Sequence, residues 1–322
     1  MGAAASELAR GASGVSGPSH EELLVQLRPT SFAIAYRMLG SVVEAEDVVQ
    51  EALLRVHRTL EDGEQIYSPR AFVAMITTRL AIDELRSARV RRERYVGEWL
   101  PEPILTEGLA DPAREAEMAD SLSLAVLVLL ESLSPEQRAV LLLHDVFDYD
   151  YKEFAGIVEK SEPAVRQLAT RARRHVEQRR PRFETSHEQR EQLAERFFAA
   201  AQDGDLAGLE QLLAGDVVLT GDGGGKVPAL ARSLHGRSRV ARTLLNWTKL
   251  GARIPGASLR PVEVNHGPGA LLLDGEGRLM GVWVLEIEGN EVRGVSSIVN
   301  PDKLVHLGPV ADMRALLGSR AE

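Results

Sequence analysis

Arg166, Gln167, Thr170, Arg171, Arg173 and Arg174 share one side of a segment whose other side is apolar. The apolar residues are Val165, Leu168, Ala169, Ala172 and Val176, spaced i, i+3, i+4, i+7 and i+11, the period of an amphipathic helix. Ser161 is a natural N-cap for that helix, and Pro163 suits its first turn. A shorter apolar pattern (Phe154, Ala155, Val158) precedes it across the turn Glu159-Lys160-Ser161. Two helices joined this tightly read as a helix-turn-helix, whose second helix lies in a major groove with its N-terminal residues toward base edges. Ser161, Glu162, Arg166 and Gln167 are then placed for bases, since Gln pairs bidentately with adenine and Arg with guanine. Arg171, Arg173 and Arg174 are placed for phosphates. An ordinary αα-hairpin with a solvated basic face fits the same pattern, and this segment alone does not separate the two.

A second basic run, Arg86, Arg89, Arg91, Arg92 and Arg94, ends a long helical pattern that opens at Ser68-Pro69 and continues through Phe72, Ile76, Leu80 and Leu85. Cations at a helix C-terminus complement its dipole, but five arginines exceed that need and point to contact with nucleic acid or another acidic surface, so Arg86, Arg89, Arg91 and Arg92 are expected at DNA. Two helical patterns come before it. One covers residues 21–39 and stops at Gly40. The next starts at Ser41, with Glu44 completing an S-x-x-E capping box, and carries Val48, Val49, Ala52, Leu53 and Val56. Residues 97–120 hold three prolines among acidic side chains and read as a linker, with Trp99 as an unusual resident expected to dock. Helical pattern resumes over residues 122–183.

Beyond residue 187 the pattern changes to one helix (Leu193, Phe197, Phe198), a short second one near residues 206–213, and strand-like runs at 217–220, 259–265, 270–273, 279–287 and 292–299. Gly275-Glu276-Gly277 and Gly289-Asn290 supply hairpin turns. The expected organisation is a disordered tail (1–18), a helical domain (19–96), a linker (97–120), a helix-turn-helix domain (121–183), an α+β domain (188–308) and a C-terminal tail (309–322).

The chain has 322 residues, 44% of them hydrophobic, enough for two or three folded cores. It has no cysteine, which excludes disulfides and thiolate metal sites, and no metal or cofactor is expected. No apolar run is long enough to span a membrane and no signal peptide is evident, so a soluble cytoplasmic protein is expected. The net charge of −9 argues against a uniformly basic DNA-coating protein, not against a local basic face.

Several motifs, in order, carry a resemblance. Glu44-Ala-Glu-Asp-Val-Val-Gln-Glu51 looks like the polymerase-binding helix of sigma region 2. Pro69-Arg-Ala-Phe72 through Ile82-Asp-Glu-Leu-Arg-Ser87 resembles the segment that reads and opens the minus-ten element. Leu133-Ser-Pro-Glu-Gln-Arg138 and the helix-turn-helix resemble region 4, which reads the minus-thirty-five element. Region 3 is missing between them, as in extracytoplasmic-function sigma factors, and the similarity covers about residues 21–182. It implies two all-α sigma domains, promoter DNA and core RNA polymerase as partners, and Asp47, Gln50 and Glu51 facing the polymerase. Phe72 is the one ring of the 72–86 helix, so melting is expected to rest on a tight promoter match and capture of one flipped base.

The C-terminal part resembles the SnoaL-like branch of the cone-shaped NTF2-like fold. Tyr95-Val-Gly-Glu-Trp-Leu-Pro-Glu-Pro103, Asp222-Gly223-Gly224-Gly225-Lys226 and Asn300-Pro301-Asp302-Lys303-Leu304 resemble motifs of the sigma subgroup that carries this domain. That resemblance implies regulation in cis; the glycine loop at 222–226 and the 300–304 motif are suitable contact surfaces, and the latter is expected to dock near Trp99 or on a sigma domain. The glycine loop is not a phosphate loop, because Val227 follows the lysine where Ser or Thr is required. Asp222, His235, Trp247, His266 and Trp283 are candidates for a pocket, but no spacing unites a base with a nucleophile; binding of an unidentified small ligand fits better than catalysis. Two rival readings remain: a metabolite-responsive helix-turn-helix regulator, and a SnoaL-type enzyme with a helical appendage. The 44–51 segment separates the first rival, since a repressor needs no polymerase-binding helix.

Overall fold

The computed structural model describes residues 19–92, 94–106, 123–177 and 185–318, apart from the side chains of residues 89–91 and 317–318. The expected tail 1–18, most of the acidic stretch after residue 106, and the side chains of Arg89 and Arg91 lie outside the described residues.

Three helices come first among the described residues: α1 (His20–Leu39), α2 (Val42–Glu61) and α3 (Pro69–Arg92). A full capping box starts α1 at Ser19 and Glu22, and Gly40 ends it with φ 67°, a left-handed turn that suits glycine. At α2 the expected box is only half made. Ser41 accepts from the Glu44 amide without the reciprocal bond, and a distant carboxylate, Glu102, takes the Ser41 hydroxyl and the Val42 and Val43 amides instead.

Among the described residues four helices follow: α4 (Leu124–Leu130), α5 (Pro135–Asp145), α6 (Tyr151–Val158) and α7 (Glu162–Glu177). Capping boxes at Ser134/Gln137 and Asp150/Glu153 start α5 and α6. In α7, Val165, Ala169 and Ala172 are buried, as the periodicity requires. The two helical groups do not form separate cores. Ile34, Leu39, Val49, Ala81 and Leu85 lie in one cluster with Leu127, Leu143, Phe154, Val165 and Ala169.

The C-terminal domain is α+β, as expected. Helices α8 (His187–Asp203), α9 (Leu206–Leu212) and α10 (Arg237–Gly251) pack on a sheet of β1 (Leu213–Asp222), β2 (Leu234–His235), β3 (Ser258–Val264), β4 (Gly267–Leu273), β5 (Leu279–Glu288) and β6 (Glu291–Ile298). The strand order is β2-β1-β6-β5-β4-β3. The β1–β6 pair is parallel and the others antiparallel. Helix α10 is absent from the sequence reading. A short α11 (Met313–Gly318) closes the described chain.

Because side chains alternate along β5, Trp283 and Leu285 face the helices while Val282 and Val284 face the opposite way. That second face is covered by Leu100 and Leu124 from outside the domain, together with Leu304. Burying each such leucine contributes about 1.5–3 kcal/mol. Residues 94–106 hold no helix, as their prolines dictate, but they are not a free linker: Leu100 and Glu102 are buried.

Candidate functional site: an interdomain node and two basic helices

Tyr95, Trp99 and Leu100 meet the C-terminal domain at a buried carboxylate. Asp222 ends β1, and its side chain is fully buried. Its Oδ1 accepts from the Tyr95 hydroxyl (2.5 Å) and the Gly224 amide (3.1 Å). Its Oδ2 accepts from the Leu100 amide (2.9 Å) and Lys303 Nζ (2.7 Å). Lys303 Nζ also donates to the Leu100 carbonyl. Buried charges are tolerated when paired and hydrogen-bonded in this way. Burial pulls the Lys303 ammonium down from its ordinary value, with Asp222 opposing. Burial, followed by the bond to Asp222, pushes the Tyr95 phenol well above the usual tyrosine range and keeps it a donor.

Trp99 sits between two cations. The Arg92 guanidinium lies 3.6 Å from its ring centroid and Lys303 Nζ lies 4.0 Å away. Asn300 Nδ2 donates to the Tyr95 hydroxyl (2.8 Å), and its Oδ1 accepts from the Asp302 amide (3.2 Å). Pro301 starts a 3-10 turn over Pro301–Lys303, and Leu304 is buried. Lys226 pairs with Asp302 (2.5 Å) at the exposed rim, where ion pairs contribute little. Gly224 and Gly225 have φ of 59° and 69°. A Cβ on Gly224 would lie 2.3 Å from Asn300 Nδ2, and one on Gly225 would lie 3.0 Å from Val96, so the glycine loop allows both approaches.

The other side of residues 99–106 is fastened to α1 and α2. Glu102 accepts from Ser41 Oγ (2.8 Å) and from the amides of Val42 (2.7 Å) and Val43 (3.3 Å), an anion at the start of α2. Sequence reasoning missed Asn265, which has φ 50° in the β3–β4 turn. Its Nδ2 donates to the Tyr36 hydroxyl (2.8 Å), and its Oδ1 accepts from the Ile104 amide (3.1 Å). Leu105 pairs antiparallel with Val264.

Part of each basic helix is engaged with protein. Arg86 pairs with Glu136 (2.7 Å). Arg92 pairs with Glu131, which also holds the buried Arg138. Arg79 donates to the carbonyls of Ile157 (2.9 Å) and Gly156 (2.8 Å). So α3 lies against α5 and α6 by its charged edge. In α7, Ser161, Gln167, Thr170, Arg171 and Arg174 are exposed, and Arg166 pairs with Glu162 (2.6 Å) on the same face. Arg173 departs from the expectation of a phosphate contact. It turns inward to Asp145 (3.0 Å from Nε) and the Tyr151 hydroxyl (2.9 Å), because its place on α7 faces α5. On α2, Asp47 and Gln50 are exposed and Glu51 pairs with Arg55 (2.7 Å). Val43 and Leu54 flank them as exposed apolar residues.

Two family models match: Sigma-70 region 2 over residues 23–91 and Sigma-70, region 4 over residues 123–176. The ECF RNA polymerase sigma factor SigJ of Mycobacterium tuberculosis is 36% identical over 300 residues, 90% of this chain and 94% of that protein. The chain belongs to the extracytoplasmic-function sigma factors. A probable member of that family, SigI of the same species, is 31% identical over 275 residues, 84% of this chain and 90% of its own length. The crystal structure of Mycobacterium tuberculosis SigJ superposes with a TM-score of 0.72 at 34% identity, covering 91% of this sigma factor and all of that chain. The likeness therefore spans both helical groups and the C-terminal domain. Among the described residues of the sigma factor, no helix is long and apolar enough to cross a membrane, and no cluster of metal-ligating side chains occurs.

Proposed function

We propose that this sigma factor directs promoter-specific initiation by core RNA polymerase in the cytoplasm, and that its C-terminal domain regulates it in cis by holding the two sigma domains together. The exposed face of α2, with Asp47 and Gln50 between Val43 and Leu54, is the polymerase contact. The exposed N-terminal half of α7 reads the minus-thirty-five element, with Arg171 and Arg174 on phosphates. Helix α3 serves the minus-ten element. Tyr67 and Phe72 beside its start form one wall of a cavity of about 400 Å³ that Tyr149 of region 4 closes, and that wall suits a flipped base once region 4 moves away.

One observation carries the regulatory part. Residues 95–106 are clamped between Asp222, Lys303 and Asn265 on one side and Tyr36, Ser41 and α2 on the other. In the same arrangement Arg86 and Arg92 are occupied by Glu136 and Glu131, so α3 meets region 4 rather than DNA. Releasing the clamp lets the sigma domains separate to span two promoter elements. Run-off transcription with core polymerase tests this on a promoter library, comparing the full chain with one ended before residue 185. The expected result is promoter-specific transcripts from both at clearly different levels. Equal activity would remove the regulatory role, and no transcripts from either would remove the promoter-reading assignment.

A further inference from the structure

A cavity of about 480 Å³ opens inside the C-terminal domain between α10 and the sheet. Its size lies within the range of small-molecule sites. The Trp247 and Trp283 rings form one wall, tilted at 44° with centroids 6.3 Å apart. Leu259, Leu272 and Met280 extend it, and none of the lining side chains is charged. A charged ligand would lose its water here and meet no counter-ion.

Polar groups are few and specific. Ser297 Oγ, buried in the wall, accepts from Trp283 Nε1 (3.1 Å), which leaves its own hydrogen for an acceptor in the cavity. Gln202 Nε2 donates to the Leu259 carbonyl (3.1 Å), which leaves its amide oxygen at the rim to take a donor.

The cavity and the interdomain node share their supports. Gly221 and Val299 line the cavity, and the residue after each, Asp222 and Asn300, belongs to the node. Met313 of α11 also lines it, while its neighbour Arg314 donates to the Lys226 and Gly225 carbonyls of the glycine loop. A molecule that fits one arrangement of these walls better than another shifts the equilibrium by that difference in affinity.

We propose that this cavity binds a neutral, largely apolar small molecule that offers an acceptor to Ser297 or a donor to Gln202, and that its occupancy alters the node at Asp222 and Asn300. The second clause rests on the regulatory reading of the C-terminal domain.

The probe is N-phenyl-1-naphthylamine, a neutral apolar fluorophore that brightens on leaving water, titrated into the full chain. The expected result is saturable one-to-one binding. Ala257→Trp narrows the mouth and Met313→Glu sets a carboxylate against the apolar wall; each weakens binding at least tenfold while thermal unfolding stays near that of the parent. The anionic relative 8-anilinonaphthalene-1-sulfonate binds at least tenfold more weakly than the neutral probe. Saturating neutral probe changes run-off transcription at least twofold in the parent and not in Ala257→Trp. Non-saturable binding, equal binding by both folded variants, equal binding of the anion, or saturation without a change in transcription would each overturn the proposal. Truncation before residue 185 needs no probe. If truncation changes transcription and the probe does not bind, this inference fails alone; if truncation changes nothing, the regulatory reading fails.

Discussion

Tyr36 and Asn265 stand 229 positions apart in the chain, yet Asn265 Nδ2 donates to the Tyr36 hydroxyl at 2.8 Å in a buried site. The same hydroxyl donates to the Glu102 carbonyl at 2.8 Å. One phenol thus joins the first sigma helix, residues 99–106 and the C-terminal domain. Removing it leaves two buried polar groups without their partner, at a cost of about 1–3 kcal/mol each. Tyr36→Phe is expected to speed hydrogen exchange at the Ile104 and Thr106 amides at least tenfold while α1 and α2 stay protected. Unchanged protection at both amides would mean that the Tyr36–Asn265 bond adds nothing to the clamp.

The glycine loop gives a second handle on the same contact. Gly224→Ala places a Cβ 2.3 Å from Asn300 Nδ2 at a φ of 59°. Left-handed backbone costs a non-glycine residue roughly 1–2 kcal/mol before any clash. Asn300 is expected to leave Tyr95, and Trp99 to lose its place between Arg92 and Lys303. The measurement is tryptophan emission, with Trp247 and Trp283 replaced by Phe in parent and variant alike. A red shift and easier quenching of Trp99 in the alanine variant are expected; identical spectra would contradict the coupling.

Within α7, Arg173 and Arg174 should behave differently. Arg173 holds Asp145 and Tyr151, and both ends of that ion pair are partly exposed, so Arg173→Ala should destabilise the helix-turn-helix by about 1 kcal/mol. Arg174 is exposed, and Arg174→Ala should leave stability unchanged while lowering the salt slope of DNA binding by about one. Thermal melts and binding at several salt concentrations check both. The reverse pattern would restore Arg173 as the phosphate contact.

The packing of α3 on region 4 should weaken in acid. Burial raises the Glu136 carboxyl, but its bonds, chiefly to the Arg86 guanidinium, outweigh that and hold it below its ordinary value of 4.5. The unfolded or separated state therefore binds more protons in that window. The contact's contribution is fully present above about pH 4.5 and is lost as pH falls through the lowered value. Glu136→Gln should flatten this part of a stability profile measured from pH 6 to pH 3. A profile with the same slope in parent and variant would assign the acid sensitivity elsewhere.

Local signals made the helices legible in the sequence. Gly40 and Ser41 mark the break between α1 and α2, and the apolar period of α7 marks its buried face. Helix α10 lacked a start signal, since Gly236 precedes it without a side-chain cap and its first turn holds no acid, although Val240, Ala241, Leu244 and Leu245 carry an apolar helical period. Asp222, Asn300 and Lys303 stood out only through motif resemblance, since nothing local requires a buried carboxylate at the end of β1. Asn265 resembled an ordinary strand end, its left-handed turn with His266 being the one cue. Glu102 read as one acid among many, because the amides it caps lie 60 and 59 positions away. Nothing in Arg86 or Glu136 alone marks them as partners. Their pairing is a property of how two helical groups share one core.

If the C-terminal domain holds the sigma domains together, the distance between them depends on its contacts. The chain has no cysteine, so Glu61→Cys on α2 and Lys160→Cys at the α6–α7 turn can be spin-labelled without interference. Pulsed dipolar spectroscopy on the otherwise unaltered chain should give one narrow distance distribution. Adding Asp222→Asn and Asn265→Ala should broaden it and move it to longer distances while circular dichroism stays the same. A narrow distribution unchanged by both substitutions would show that the sigma domains hold each other without the C-terminal domain, and would contradict the account.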